Sequence, residues 1–278
     1  LFLLSLPVLG QQTTNKPERV QWFQDLGFGM FIHWNVDVTL GAVISHSLSG
    51  ASDEYVNKYI QELPSYFNPE QFKPKDWAKL AKLAGMKYVV FTAKHHAGFA
   101  MFNTKTTTFN IMNTPFKRDI TKEVVEAFRA EGIAVGLYFS PDDFYYLHTH
   151  KQPIGRAQDP AHYPKTNPGL MEYDKAQLKE LLTQYGKIDI LFIDGPGDGL
   201  REHAWAINPD LVITRDAMKT PEQTTPNTSL PRPWEACYTM VTDWQYKPTN
   251  DPQKSVTTVI NMLAEIRAKG GNFLLNVG

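Results

Sequence analysis

The stretch that decides the fold is Ile188-Asp189-Ile190-Leu191-Phe192-Ile193-Asp194-Gly195. An almost unbroken apolar run of this length is typical of a strand that both faces of a parallel sheet bury. Similar runs recur at residues 28–33, 87–92, 133–139, 211–214 and 272–277, with a further candidate at 233–238. Helical periodicity separates them near residues 74–84, 121–131, 172–184, 200–207 and 252–268. This alternation predicts an α/β fold, and the number of strands suits a TIM-like (β/α)8 barrel, either regular or distorted.

Composition limits the classes of partner. The 278 residues contain 28 Lys and Arg against 29 Asp and Glu, a net charge of −1. Such a chain has no basic field to neutralise phosphates, so we expect no nucleic-acid partner. The glycine patterns of dinucleotide-binding and P-loop folds are missing from the sequence. Cys237 is the single cysteine, which excludes an internal disulfide and a cysteine-ligated zinc site.

The chain begins with an apolar run of signal-peptide core length, residues 1–10, followed by polar residues 11–15. We interpret residues 1–15 as the remnant of an export signal rather than a first buried strand, and expect a secreted or periplasmic protein. The run is too short to span a bilayer. Residues 20–278 would then form the catalytic barrel domain, with the aperiodic stretch 144–170 as a long loop that shapes a site.

Ionisable and aromatic residues follow the predicted strands, where barrel enzymes carry their chemistry. These strand-end residues are His33, Trp34, Lys94, His95, His96, Tyr138, Ser140, Asp194, Arg215, Asp216, Trp234, Glu235 and Asn276. A carboxylate such as Asp194 at the end of a buried strand is costly unless it is paired or has a chemical role. It is either a cap of the following turn or a nucleophile or general base. Glu235, flanked by Trp234 and Ala236, is either an ion-paired residue or a proton donor whose apolar setting raises its pKa.

Three roles are open for the histidines. His95 and His96 are adjacent on a chain that leaves a strand, so we expect their side chains to diverge, which disfavours a shared metal ion. A structural role within the core is the second possibility. In the third, imidazoles at the rim donate hydrogen bonds to sugar hydroxyls while Trp34, Phe99 and Trp244 offer the ring an apolar face.

The sequence resembles the catalytic domain of the α-L-fucosidases of glycoside hydrolase family 29. The resemblance runs in order from about residue 20 to the end. It rests on segments 22–34, 67–69, 84–88, 94–99, 115–119, 193–195, 234–240 and 271–278, of which 94–99 with 115–119 is similar to the family's KHHDGF…PFKRD signature.

The resemblance implies a retaining exo-glycosidase that releases terminal L-fucose from glycans, with no cofactor and no metal. It makes Asp194 the nucleophile and Glu235 the acid/base. The substrate-binding residues that it implies are His33, Trp34, Glu54, His95, His96, Tyr138, Arg215 and Trp244. Two alternatives stay open: a barrel glycosidase for a related sugar such as a galactoside, and a catalytically silent glycan-binding barrel.

Three departures from the family pattern are visible. Ala97 stands where the family usually has Asp, which removes a carboxylate that could orient a histidine. Residues 35–50 do not resemble the usual loop after the first strand. The chain stops at Gly278, whereas relatives normally continue into a small β-sandwich, so we expect that domain to be absent from this chain.

Overall fold

A computed structural model describes residues 11–155, 159–230 and 233–278. Every predicted strand forms, and all of them run parallel in one sheet of order β5-β4-β3-β2-β1-β7-β6. The strands are β1 (Phe28–Ile32), β2 (Tyr88–Lys94), β3 (Ala134–Phe139), β4 (Ile190–Ile193), β5 (Val212–Arg215), β6 (Trp234–Thr239) and β7 (Gly271–Val277). The predicted α/β class is confirmed.

The helices cover the outer face of the sheet. They are α1 (Pro17–Leu26), α2 (Asp53–Tyr66), α3 (Pro74–Leu83), α4 (Ile120–Ala130), α5 (Phe144–Thr149), α6 (Pro168–Gln184), α7 (Leu200–Ile207) and α8 (Val256–Ala268). The five predicted helices are confirmed, and α1, α2 and α5 are additional. α5 lies within the stretch that was expected to be a loop, and it begins where the Asp143 side chain accepts the N–H of Tyr146. None of the described helices is both long and apolar enough to cross a membrane.

The sheet curls around an apolar interior formed by side chains from alternate strand positions. Phe31, Tyr138 and Phe192 meet there, with the Phe31 and Phe192 ring centroids 5.0 Å apart. Phe23 of α1 closes the N-terminal end of this interior, and its ring lies 5.4 Å from that of Tyr88. The opposite end, where the strands finish, is left open for a site.

The two edges of the sheet, β5 and β6, are joined by an irregular segment rather than by a ladder of their own. Residues 219–223 run parallel to β6, where Glu235 donates its N–H to the Lys219 carbonyl at 3.0 Å and Gln223 donates to the Cys237 carbonyl at 2.9 Å. On the free edge of β5, the Asn15 side chain bonds both backbone groups of Ile213, at 2.7 and 2.8 Å. The barrel is therefore a distorted one, with seven strands and an extended segment in the described residues.

The export-signal remnant at residues 1–15 stays a prediction. Residues 1–10 lie outside the described residues, and residues 11–15 form no helix or strand.

Candidate active site

A cavity of about 500 Å³ opens at the C-terminal ends of the strands, the end at which barrel enzymes carry their catalytic groups. Most of the predicted site residues line it, namely His33, His95, His96, Tyr138, Asp194, Arg215 and Trp244. Trp34, Glu54 and Glu235 do not. The structure therefore brings seven of the ten predicted residues together around one cavity and places the other three elsewhere.

Asp194 is held in its ionised form by the groups around it. One carboxylate oxygen lies 2.9 Å from Nε of Arg215. The other accepts the hydroxyl of Tyr138 at 2.5 Å and lies 3.6 Å from Nε2 of His96. Burial by itself would raise the pKa of Asp194, but His96, Arg215 and Tyr138 outweigh it and hold that pKa well below its usual value. A carboxylate that stays charged in an apolar barrel can act as a nucleophile.

A second carboxylate reaches the same guanidinium. Arg215 ends β5, and its Nη1 lies 3.0 Å from a carboxylate oxygen of Glu222. Glu222 belongs to the segment 219–223, lines the cavity and keeps 39% of its side-chain surface exposed. Sequence reasoning missed Glu222, because Thr220 and Pro221 beside it give no strand pattern. Asp194 and Glu222 thus face one cavity with a single arginine between them.

Glu235 lies at the other end of the barrel, so its placement in the site is wrong. It is the second residue of β6, its side chain is fully buried, and it accepts the hydroxyl of Tyr88 at 2.7 Å. Tyr88 is the first residue of β2, at the N-terminal end that Phe23 closes. Burial raises the pKa of Glu235 to about 7, and the Tyr88 hydrogen bond only partly offsets it. The apolar setting was predicted correctly, but it belongs to a core residue.

Trp34 and Glu54 are also outside the cavity. Phe31 and His33 point into the barrel, and the next position, Trp34, points outward because successive side chains of an extended chain alternate. Its indole packs against Phe67, Phe72 and Trp77, with ring centroids 5.4–5.7 Å away. Glu54 is exposed in the first turn of α2, where a carboxylate stabilises the helix N-terminus.

The three histidines point into the cavity and are each held through Nδ1. His33 contacts the Asn276 side-chain oxygen at 2.7 Å, His95 contacts the Ser45 hydroxyl at 2.8 Å, and His96 contacts the Ser140 hydroxyl at 2.5 Å. Burial lowers the pKa of His33 to about 4 and the pKa of His95 well below its usual value. Both are therefore neutral imidazoles at physiological pH.

The adjacent histidines do not diverge, contrary to expectation. A turn closed by the hydrogen bond from the Gly98 N–H to the His95 carbonyl, 2.9 Å long, brings the two rings to a centroid distance of 4.6 Å. One ligand atom from each of His95, His96 and Asp194 lies within 4.8 Å of the others, close enough to share a cation. In the described part of the chain this is the group that could hold a metal ion.

Beneath the histidine turn lies a buried ion triad. The Lys94 ammonium is 3.1 Å from Asp143 and 2.8 Å from Asp174, and all three side chains are inaccessible to solvent. Burial raises the pKa of Asp174, and the Lys94 ammonium opposes that rise. The triad joins the end of β2 to α5 and α6, so it fixes the backbone from which His95 and His96 project.

The rim of the cavity contains residues that the sequence did not single out. His46 comes from the unusual segment 35–50, and its ring lies 6.4 Å from that of His96. From the stretch 144–170, His162 lies 2.8 Å from Asp142, a contact that raises the pKa of His162. The stretch 144–170 was expected to shape a site, whereas segment 35–50 stood out only as a departure from the family's usual loop. Neither segment has a periodic pattern that would identify inward positions.

Comparison with known proteins gives a consistent result. The family model "Alpha-L-fucosidase" matches residues 10–278. The plasma alpha-L-fucosidase of Pongo abelii is 27% identical over 92% of this chain and 62% of its own length. The structure of alpha-L-fucosidase isoenzyme 1 from Paenibacillus thiaminolyticus superposes with a TM-score of 0.82 at 33% identity, covering 94% of this chain and 70% of that one.

A third relative bears on the chemistry. It is a GH29 alpha-L-fucosidase from Bacteroides thetaiotaomicron, captured as a covalent intermediate with 2-fluoro-fucosyl fluoride in a mutant that has glutamine in place of a glutamate. Its TM-score is 0.79 at 26% identity, over 96% of this chain and 70% of that one. The chain thus spans less than two thirds of the plasma enzyme, and the part it spans is the barrel. With a family match across nearly all its residues, the chain belongs to the alpha-L-fucosidase family, glycoside hydrolase family 29.

Proposed function

We propose that the protein is a retaining α-L-fucosidase that cleaves terminal fucosides of glycans by double displacement. The observation that carries this proposal is the pair of carboxylates, Asp194 and Glu222, on one guanidinium in a cavity lined by histidines. Asp194, ionised and fixed by Tyr138, would attack the anomeric carbon and form a glycosyl-enzyme ester. The trapped intermediate of the Bacteroides relative supports this class of mechanism for the family.

Glu222, rather than Glu235, is proposed as the acid/base. A retaining enzyme places its two carboxyl groups about 5–5.5 Å apart, so that both reach the same glycosidic bond. Glu222 shares Arg215 with Asp194 and is open to the cavity, so it can protonate the leaving oxygen and later activate a water. Glu235 is sealed at the far end of the barrel and cannot touch a substrate held at Asp194.

The lining of the cavity favours a 6-deoxy sugar. His33, His95, His96 and Tyr138 supply polar atoms for ring hydroxyls. Apolar surface comes from Phe31, Phe192, Cys237 and Trp244, which suits a methyl group better than the hydroxymethyl of a galactoside. The presence of both carboxylates argues against a silent glycan-binding barrel.

The test is hydrolysis of aryl α-L-fucosides by the wild type and by Asp194→Ala, Glu222→Gln and Glu235→Gln. We expect Asp194→Ala to lose at least about a thousandfold in kcat. Glu222→Gln should lose far more on a phenyl fucoside, which needs protonation of its leaving group, than on a dinitrophenyl fucoside, which does not. Glu235→Gln should retain activity. Full activity of Glu222→Gln on both substrates would reject its role, and a wild type that cleaves only a galactoside would reject the substrate.

We further propose that the reaction needs no metal and that the protein is exported. The catalytic groups in the cavity can perform double displacement by themselves. Export is supported by the apolar start of the chain and by the plasma location in the name of the Pongo relative. Fractionation of the native host, with the enzyme followed by antibody, tests it: recovery in the cytoplasm alone would reject export.

A further inference from the structure

Two buried imidazoles, His33 and His95, lie edge to face in the cavity lining with ring centroids 5.7 Å apart. A neutral imidazole has one N–H and one bare nitrogen, so its role toward a ligand depends on which nitrogen carries the proton. In both residues Nδ1 is engaged by the protein, which leaves Nε2 as the nitrogen available to a ligand. The partners of Nδ1 therefore decide what each Nε2 presents.

The partner of His33 Nδ1 is the side-chain oxygen of Asn276, which can only accept a hydrogen bond. The Asn276 amide is oriented because its Nδ2 donates to the Trp244 carbonyl at 2.6 Å, which turns its oxygen toward His33. Nδ1 of His33 consequently carries the proton, and Nε2 is bare. His33 offers the cavity a hydrogen-bond acceptor.

The partner of His95 Nδ1 is the Ser45 hydroxyl, and here the hydroxyl is the donor. The Ser45 oxygen already accepts the N–H of Ala97 at 2.9 Å. Among the described residues, the acceptor within reach of the Ser45 hydroxyl proton is Nδ1 of His95, at 2.8 Å. A buried hydroxyl left without an acceptor would be costly. Nδ1 of His95 is therefore bare and Nε2 carries the proton, so His95 offers a donor.

Ser45 is held in place by the segment after β1. It is fully buried at a φ of 58°, in the left-handed region that non-glycine residues rarely adopt. Its N–H donates to the buried carboxylate of Asp37 at 2.5 Å, and the Tyr59 hydroxyl donates to the same oxygen at 3.0 Å. Backbone strain of this kind persists only where the surroundings impose it, and it clusters at functional sites.

We propose that Ser45 is a positioning residue that fixes His95 as the Nε2–H tautomer, so that the site presents a donor on His95 beside an acceptor on His33 to a sugar diol. The segment 35–50 thereby supplies an orienting group from outside the histidine turn, where Ala97 has only a methyl side chain. This inference rests on the proposed function for its substrate. The tautomer itself does not depend on that function.

The experiment is ¹⁵N NMR of histidine-labelled protein near neutral pH, with His95 assigned from a His95→Gln variant. The wild type should show a pyridine-type Nδ1 and a pyrrole-type Nε2 for His95. Ser45→Gly removes the hydroxyl yet suits the positive φ, so it should fold and show a mixture of tautomers. Ser47→Ala is the matched control, since the buried Ser47 hydroxyl in the same segment has no hydrogen-bond partner among the described groups. It should leave the ¹⁵N pattern unchanged.

Kinetics supply the second readout. With an aryl α-L-fucoside, Ser45→Gly should lose about three- to tenfold in kcat/KM, the range that one neutral hydrogen bond accounts for, while Ser47→Ala keeps wild-type values. An Nδ1–H His95 in the wild type, or an unchanged tautomer in Ser45→Gly, would overturn the proposal. So would equal losses in the two variants. A protein that shows the expected tautomers but cleaves no fucoside would instead reject the proposed function.

Discussion

Replacing Glu235 by Gln tests whether its carboxyl is a buried core group, as its place beside Tyr88 indicates, or one that catalysis needs. Glu235 is fully buried beside Tyr88, and its pKa in the folded protein is about 7 against 4.5 for a free glutamate. A raised pKa means that the folded state keeps its proton between pH 4.5 and 7 while the unfolded state releases it. Stability is therefore lost as the pH rises through this window, by up to about 3 kcal/mol at roughly 1.4 kcal/mol per pKa unit. Glutamine has no such loss.

The assay is urea unfolding of the wild type and Glu235→Gln between pH 4.5 and pH 8, with fucoside hydrolysis measured on the same preparations. We expect the two proteins to be of similar stability at pH 4.5, and the variant to be the more stable by up to about 3 kcal/mol at pH 8. Glu222→Gln is the control, because the same change on a half-exposed residue should reduce hydrolysis without a pH-dependent gain. A folded Glu235→Gln protein without activity would make Glu235 part of the catalytic machinery, and a stability difference independent of pH would show that its carboxyl does not titrate in the core.

Three further outcomes are expected. Arg215→Met removes the cation from Asp194, so the pKa of Asp194 rises and the acidic limb of the kcat/KM profile should move to higher pH; an unmoved limb would contradict this coupling. Lys94→Met leaves Asp143 and Asp174 buried without their cation and should cost about 3–5 kcal/mol in urea unfolding, whereas a loss under about 1 kcal/mol would show that the triad is not a strong link. Prolonged dialysis against a chelator should leave fucoside hydrolysis unchanged, and a loss that added zinc restores would assign a metal to the histidine and aspartate cluster.

The strands and the position of Asp194 at the end of β4 were predictable because both depend on local pattern. A continuous apolar run that ends in a carboxylate, as at Ile193 and Asp194, identifies a buried strand and the group at its end. The alternation of side chains along β1 was also predictive: His33 lies on the same face as Phe31, and Trp34 lies on the opposite face. Applying that alternation would have excluded Trp34 from the site.

The positions of Glu235 and Glu222 could not be predicted from local sequence pattern. Alternation correctly places Glu235 on the inner face of β6, but it does not say at which layer of the barrel that residue lies. The layer depends on the register of β6 against β7, where Glu235 pairs with Asn272 near the start of both strands. Glu222 is brought to the cavity by the pairing of an irregular segment with Cys237, a contact between residues distant in sequence that no periodicity reveals.

We propose that Asp194 forms the covalent bond to the sugar, and rescue of Asp194→Gly by azide is the most direct test of this role. In this variant azide can enter the space of the missing carboxylate and attack the anomeric carbon of an activated aryl α-L-fucoside. We expect azide to restore turnover and the product to be β-L-fucosyl azide, of inverted configuration. If Asp194→Gly turned over as fast as the wild type without azide, or if the azide product had the retained α configuration, another group would be the nucleophile.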